Sequence, residues 1–126
     1  MKPVPVLGTI VLIGAILQIV LGFEVAADVQ GLRDIHMGIG ILGLVLVVAL
    51  TVLAFRASTG NVYSKITMTA LTIIIAFQVF LGIQLIQGAD ALLISHEATA
   101  FAIVLLSLLT GGMTYWTSRR LTRTHI

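Results

Sequence analysis

Four long apolar runs, parted by short polar breaks, make up almost the whole chain. They cover about residues 6–25, 35–55, 66–86 and 91–116. A run of about 20 residues, rising 1.5 Å per residue as a helix, crosses a hydrocarbon layer of roughly 30 Å. None of the runs alternates apolar and polar residues with period two, as the strands of a membrane barrel must. Inside lipid the backbone can satisfy its hydrogen bonds only in helices or closed barrels, so the pattern predicts helices. Short breaks make consecutive helices antiparallel neighbours. The expected fold is all-α: an integral membrane, up-down-up-down four-helix bundle. Its longest connection, RASTGNVYSK, carries the turn signal Gly60-Asn61.

The polar positions inside the runs repeat. QIVLGFEVAADVQGLRDIH spans residues 18–36, and QVFLGIQLIQGADALLISH spans residues 78–96. Sliding the chain by 60 positions aligns Thr9 with Thr69, Gln18 with Gln78, Leu21 with Leu81, Gly22 with Gly82, Leu32 with Leu92 and His36 with His96. Apolar matches mean little in a chain for lipid, but glutamine, glycine and histidine in one ungapped register signal a duplicated helical hairpin. Repeat 1 covers about residues 6–55 and repeat 2 about 66–116, within one membrane domain. An even number of spans separates the copies, so they share an orientation. The expected relation is a pseudo-twofold axis along the membrane normal.

Composition agrees with the pattern: 59% of the residues are hydrophobic and 10% are charged, more apolar surface than a soluble core of this size can hide. The first run has one lysine before it, no small-residue cleavage site and too many apolar residues for a signal peptide, so it is expected to be a retained helix. With no cysteine, thiolate chemistry, disulfides and Cys-ligated clusters are excluded.

Charge sets the expected orientation. Lys2, Arg56, Lys65, Arg119, Arg120 and Arg123 fall on one side of the runs, and Arg33 alone on the other. The positive-inside rule then predicts both termini in the cytoplasm of a cell whose plasma membrane holds the chain. Tyr115 and Trp116 become inner-interface residues. The basic tail, residues 117–126 with His125, reads as a stop signal with affinity for anionic lipid, and no nucleic-acid partner is expected.

The repeated histidines carry the candidate chemistry. An ionisable side chain within a span is a functional hypothesis by default, although bonding a neighbouring helix would also account for it. A bare metal ion wants three or four ligands, and Asp34 and Glu97 do not recur between the repeats. Ser95 precedes His96 and points about 100° away around the helix, so it forms no nucleophile–base pair with it. A heme iron takes two axial ligands on opposite faces, commonly imidazoles, which His36 and His96 can supply as metal ligands. Gly22, Gly82, Gly38 and Gly40 lie near histidine depth and allow close approach of a flat ligand or of another helix. Gln18 and Gln78 can orient the imidazoles or bond each other. Arg33 is a candidate partner for heme propionates, with a free surface charge as the simpler alternative. Met37 projects away from His36, while Met68 and Met113 lie near the other end.

A four-helix unit with Gln-x-x-Leu-Gly late in helices 1 and 3, and a histidine early in helices 2 and 4, resembles one half of a heme A synthase. That family has eight spans arranged as two such halves, and it has short single-half relatives. The resemblance covers most of the chain and implies a heme held between His36 and His96 near the outer face. In the family's catalytic half a glutamate stands three residues before the helix 2 histidine and an arginine directly follows it. Here these positions hold Arg33 and Met37, so the chain is more similar to the half that holds heme b without converting it.

Three functions follow as expectations. The leading one is a bis-histidine, b-type heme protein for electron transfer or heme holding beside respiratory-chain subunits or a quinone. The second is a half-size heme A synthase that oxidises heme O to heme A, as a homo-oligomer restoring eight spans. The third is a cofactor-free structural subunit.

Overall fold

The computed structural model describes residues 3–27, 31–56 and 62–123. Lys2, the Gly60-Asn61 turn and His125 lie outside them, and the side chains of Met113, Tyr115 and Trp116 are outside the described side chains. The described residues form α1 (Pro3–Ala26), α2 (Leu32–Arg56), α3 (Val62–Ile86) and α4 (Leu93–Arg123), with a 3₁₀ turn at Asp90–Leu92 leading into α4. Four segments, Thr9–Ala26, Leu32–Arg56, Lys65–Ile86 and Asp90–Gly112, are long and apolar enough to cross a membrane.

The helices outrun the apolar runs. Helix α1 starts at Pro3, because proline in a first turn removes only a donor that has no helical partner there. Helix α3 starts at Val62, four residues before the run, and the Lys65 ammonium sits 5.7 Å from the Phe55 ring centre on α2. Helix α4 continues to Arg123, so most of the basic tail is helical. Between residues 113 and 123 there is no glycine or proline to break it. Hydropathy marks where lipid would end; it does not mark where a helix ends.

Each hairpin connection contains one left-handed glycine: Gly31 with φ of 85° and Gly88 with φ of 92°. At Gly88 the chain closes α3 with the two bonds of a Schellman motif. The Gly88 amide donates to the Leu85 carbonyl (3.0 Å), and the Ala89 amide to that of Gln84 (3.1 Å).

Each helix packs on two others, α1 on α2 and α4, and α3 on α2 and α4, which closes a four-membered ring. Among the described residues no Cα of α2 comes within 8 Å of one of α4, nor α1 of α3, so these pairs are diagonals. One half of the bundle is filled by Val11, Val47, Leu50, Ala54, Met68, Leu71, Ile75 and Ile103. Thr51 ties α2 to α3 there, its hydroxyl 2.8 Å from that of Thr72 and 3.2 Å from the Met68 carbonyl. The outside is apolar too: Ile13, Phe23, Val45, Ile73, Ile94 and Leu105 are exposed. At most 22% of any spanning segment is buried within the bundle, so most of its apolar surface faces outward.

Candidate functional site

The opposite half of the bundle is built around polar side chains. Helix α1 brings Gln18 up beside the start of α2, which carries His36; α3 does the same with Gln78 beside His96 on α4. Both histidines are half-buried, while their neighbours Ile35, Met37, Ser95 and Glu97 are exposed. A helical residue directly before or after an inward-pointing one is turned about 100° from it, so each histidine faces inward alone.

Across the α2–α4 diagonal the two imidazoles meet, with ring centres 6.1 Å apart and planes at 67°. Each Nδ1 is buried without a hydrogen-bond partner among the described residues. Two imidazoles on opposite sides of one metal, each bonded at about 2 Å with a further ~1 Å from nitrogen to ring centre, place their centres about 6 Å apart. The observed separation matches. A pair of buried nitrogens without partners is costly in a finished protein, and ligation is one way to satisfy both.

The glycines of the repeated motif make room for the rings. A Cβ on Gly22 would lie 3.5 Å from His36 Cε1, and one on Gly82 would lie 3.3 Å from His96 Cε1. Any side chain larger than a methyl at either place would push into the imidazole. Gly38 has nothing within 4 Å of where a Cβ would stand. Gly40 serves a different neighbour: a Cβ there would lie 2.9 Å from Gln18 Nε2.

The glutamines occupy unlike positions. Gln18 Nε2 donates to the His36 backbone carbonyl at 2.8 Å, while its Oε1 is buried without a partner among the described residues. The amide of Gln78 lies 3.3 Å from His96 Nε2, and its Oε1 accepts from the Thr99 hydroxyl. Gln78 therefore orients a ring, whereas Gln18 braces a backbone. Nothing in the repeat singles out Thr99. Its signal is positional: it stands three residues after His96, on the same helix face, where repeat 1 has Ile39.

Arg33, Asp34 and Glu24 are exposed, so Arg33 stands at the rim of the site, one turn before His36. Among the described residues no group of three or more His, Cys, Asp or Glu comes together. With two nitrogen ligands, the site suits a metal that brings most of its ligands with it, as heme iron does. A groove of about 420 Å³ lined by Phe55, Val62, Lys65, Ile66 and Thr69 lies toward the other end of α3 and is separate from the histidines.

No protein-family model, curated protein or solved structure matches this chain.

Proposed function

We propose that the chain is an integral membrane protein holding one b-type heme between His36 and His96, and that it serves electron transfer or heme holding in a respiratory system. The observation that carries this reading is the diagonal pair of imidazoles, 6.1 Å between centres, each with a buried Nδ1 that no described residue satisfies. The glycine faces of Gly22 and Gly82 support it, since both are kept clear for the rings. Arg33 at the rim is suited to pair with a propionate.

The four spans run up and down with both termini in the cytoplasm, by the lysine and arginine bias. The apolar exterior supports lipid as the solvent. The two hairpins stand about a pseudo-twofold axis, supported by closely similar exposure at positions 60 apart: Val11 with Leu71, Val47 with Ser107 and Leu50 with Thr110 are all buried. The histidine end then faces outward. When bound, the heme supplies reversible one-electron chemistry. The chain's own contribution is to hold both axial nitrogens, exclude water with its apolar wall and set ring orientation through Gln78.

A pyridine hemochrome assay on protein purified from a heme-replete host tests this. Heme b at one per chain, with a six-coordinate bis-imidazole spectrum, is expected. Colourless protein would sink the reading, and so would wild-type absorption from the His36→Ala, His96→Ala double variant.

A further inference from the structure

At the end of the bundle away from the histidines, α2 finishes and α3 begins beside a groove. Val62, Ile66, Thr69 and Ile73 recur at intervals of three and four residues and so form one stripe along α3. With Phe55 of α2 they line a space of about 420 Å³, within the roughly 300–1,000 Å³ of small-molecule sites. At 1.5 Å per residue the stripe runs about 16 Å along the helix, half of a hydrocarbon layer of roughly 30 Å. The groove is as deep as one leaflet.

Its lining is apolar apart from one group. The Thr69 hydroxyl donates to the Lys65 carbonyl at 2.9 Å, so its proton is used within the helix. Lys65 is the one charged side chain of the lining, and its ammonium is held 5.7 Å from the centre of the Phe55 ring. Arg56, exposed and one residue beyond Phe55, puts a second cation at the same end. The five carboxylate side chains of the sequence, Glu24, Asp28, Asp34, Asp90 and Glu97, all fall in or beside the other two connections. Helices of these lengths separate the two ends by about 30 Å. The protein therefore cannot neutralise Lys65 and Arg56 with its own side chains. A second copy in the same orientation cannot either, since its carboxylates stand at the same far end. An apolar slot one leaflet deep, with an ammonium near the start of α3, suits a molecule that joins a hydrocarbon chain to an anion.

We infer that this groove is a binding site for an anionic phospholipid, with one acyl chain along the α3 stripe and the headgroup anion on Lys65 and Arg56. The lipid comes from the leaflet at the α2–α3 end, the inner one in the orientation proposed above. The inference rests on the membrane part of that reading and is independent of the heme.

The test titrates the full chain in neutral detergent with phosphatidylglycerol or phosphatidylcholine and counts bound lipids by native mass spectrometry. One phosphatidylglycerol per chain is expected, held about 30-fold more tightly than phosphatidylcholine, the worth of two basic residues near an anionic surface. Lys65→Gln and Arg56→Gln should each cut that preference about 5-fold. Ala70 is the smallest side chain of the lining, and Ala70→Trp should fill the groove and weaken both lipids alike. Exchanging Arg119, Arg120 and Arg123 together for glutamine should leave the preference unchanged. Glycerol phosphate, the anion without acyl chains, should not displace the lipid.

Equal affinity for the two lipids overturns the inference, as does a preference that survives Lys65→Gln and disappears with the three tail arginines. Displacement by glycerol phosphate overturns it too, as does a dimer that Ala70→Trp dissociates. Should Ala70→Trp fail to fold, the lysine and arginine variants decide. Protein that alkaline carbonate strips from membranes overturns the membrane reading itself, whereas a missing preference in protein that resists extraction overturns this inference alone.

Discussion

Repeat 1 and repeat 2 place the same motif in the same part of the bundle and use it differently. In both, a histidine packs its Cε1 on a glycine and reaches toward the diagonal. The glutamines then part ways, and the residue facing the first of them differs between the repeats. Gly40 leaves open the space that the Gln18 amide occupies, and a Cβ there would lie 2.9 Å from Gln18 Nε2. Repeat 2 has Ala100 at that position, with a methyl group where Gly40 has a hydrogen. Gln78 bonds the ring of His96 and the Thr99 hydroxyl instead. A duplicated motif can keep its histidines in place while the side chains beside them take different partners.

The largest effect expected from breaking this comparison is at the glycines under the rings. Gly82→Val should displace His96, with a stability loss of about 1–3 kcal/mol from overpacking and, on the heme reading proposed above, loss of most of the heme. Gly22→Ala meets an ordinary contact at 3.5 Å and should change little, while Gly82→Ala at 3.3 Å should perturb the Soret band measurably. Equal responses from the two alanine variants would remove the steric difference drawn here.

Next in size is Gly40→Ala, which makes repeat 1 resemble repeat 2. It should expel the Gln18 amide from the His36 carbonyl and cost about 1 kcal/mol in detergent unfolding, the worth of one hydrogen bond. In the same variant, Gln18→Leu should then cost less than it does in the wild type. Additive losses would mean that the two residues do not compete for space.

A smaller effect is expected at the opposite end of the bundle. Ser107, the counterpart of Val47, is buried with a hydroxyl that has no partner among the described residues. Ser107→Ala removes that group and should stabilise the fold by up to about 1 kcal/mol, read as a higher thermal midpoint. Smallest of all, Thr51→Val breaks the hydroxyl contact with Thr72 and should cost about 0.6 kcal/mol, the average for a hydrogen bond between membrane helices.

Much of the architecture was legible from periodicity and run length, because lipid-scale apolar runs leave the backbone few choices. Where expectation and structure differ, helix propensity extends beyond hydropathy: α3 begins at Val62 and α4 reaches Arg123. His36 and His96 drew attention through their shared register. Thr99 did not, since its role depends on a glutamine from another helix. The roles of the two glutamines were equally hidden, because a sequence repeat predicts equal roles and the packing beside Gly40 makes them unequal.

By itself, the order of residues determined four spanning-length helices, a motif occurring twice 60 positions apart, and an apolar surface on every helix. These are properties of single segments and their spacing, which local hydrogen bonding and solvent transfer decide. Only the tertiary structure decided that two imidazoles share a diagonal 6.1 Å apart, and that one glutamine amide meets a ring nitrogen while the other meets a backbone carbonyl. Those depend on helix rotation and on which small residue lies opposite each amide, and close packing settles both only when all four helices are together.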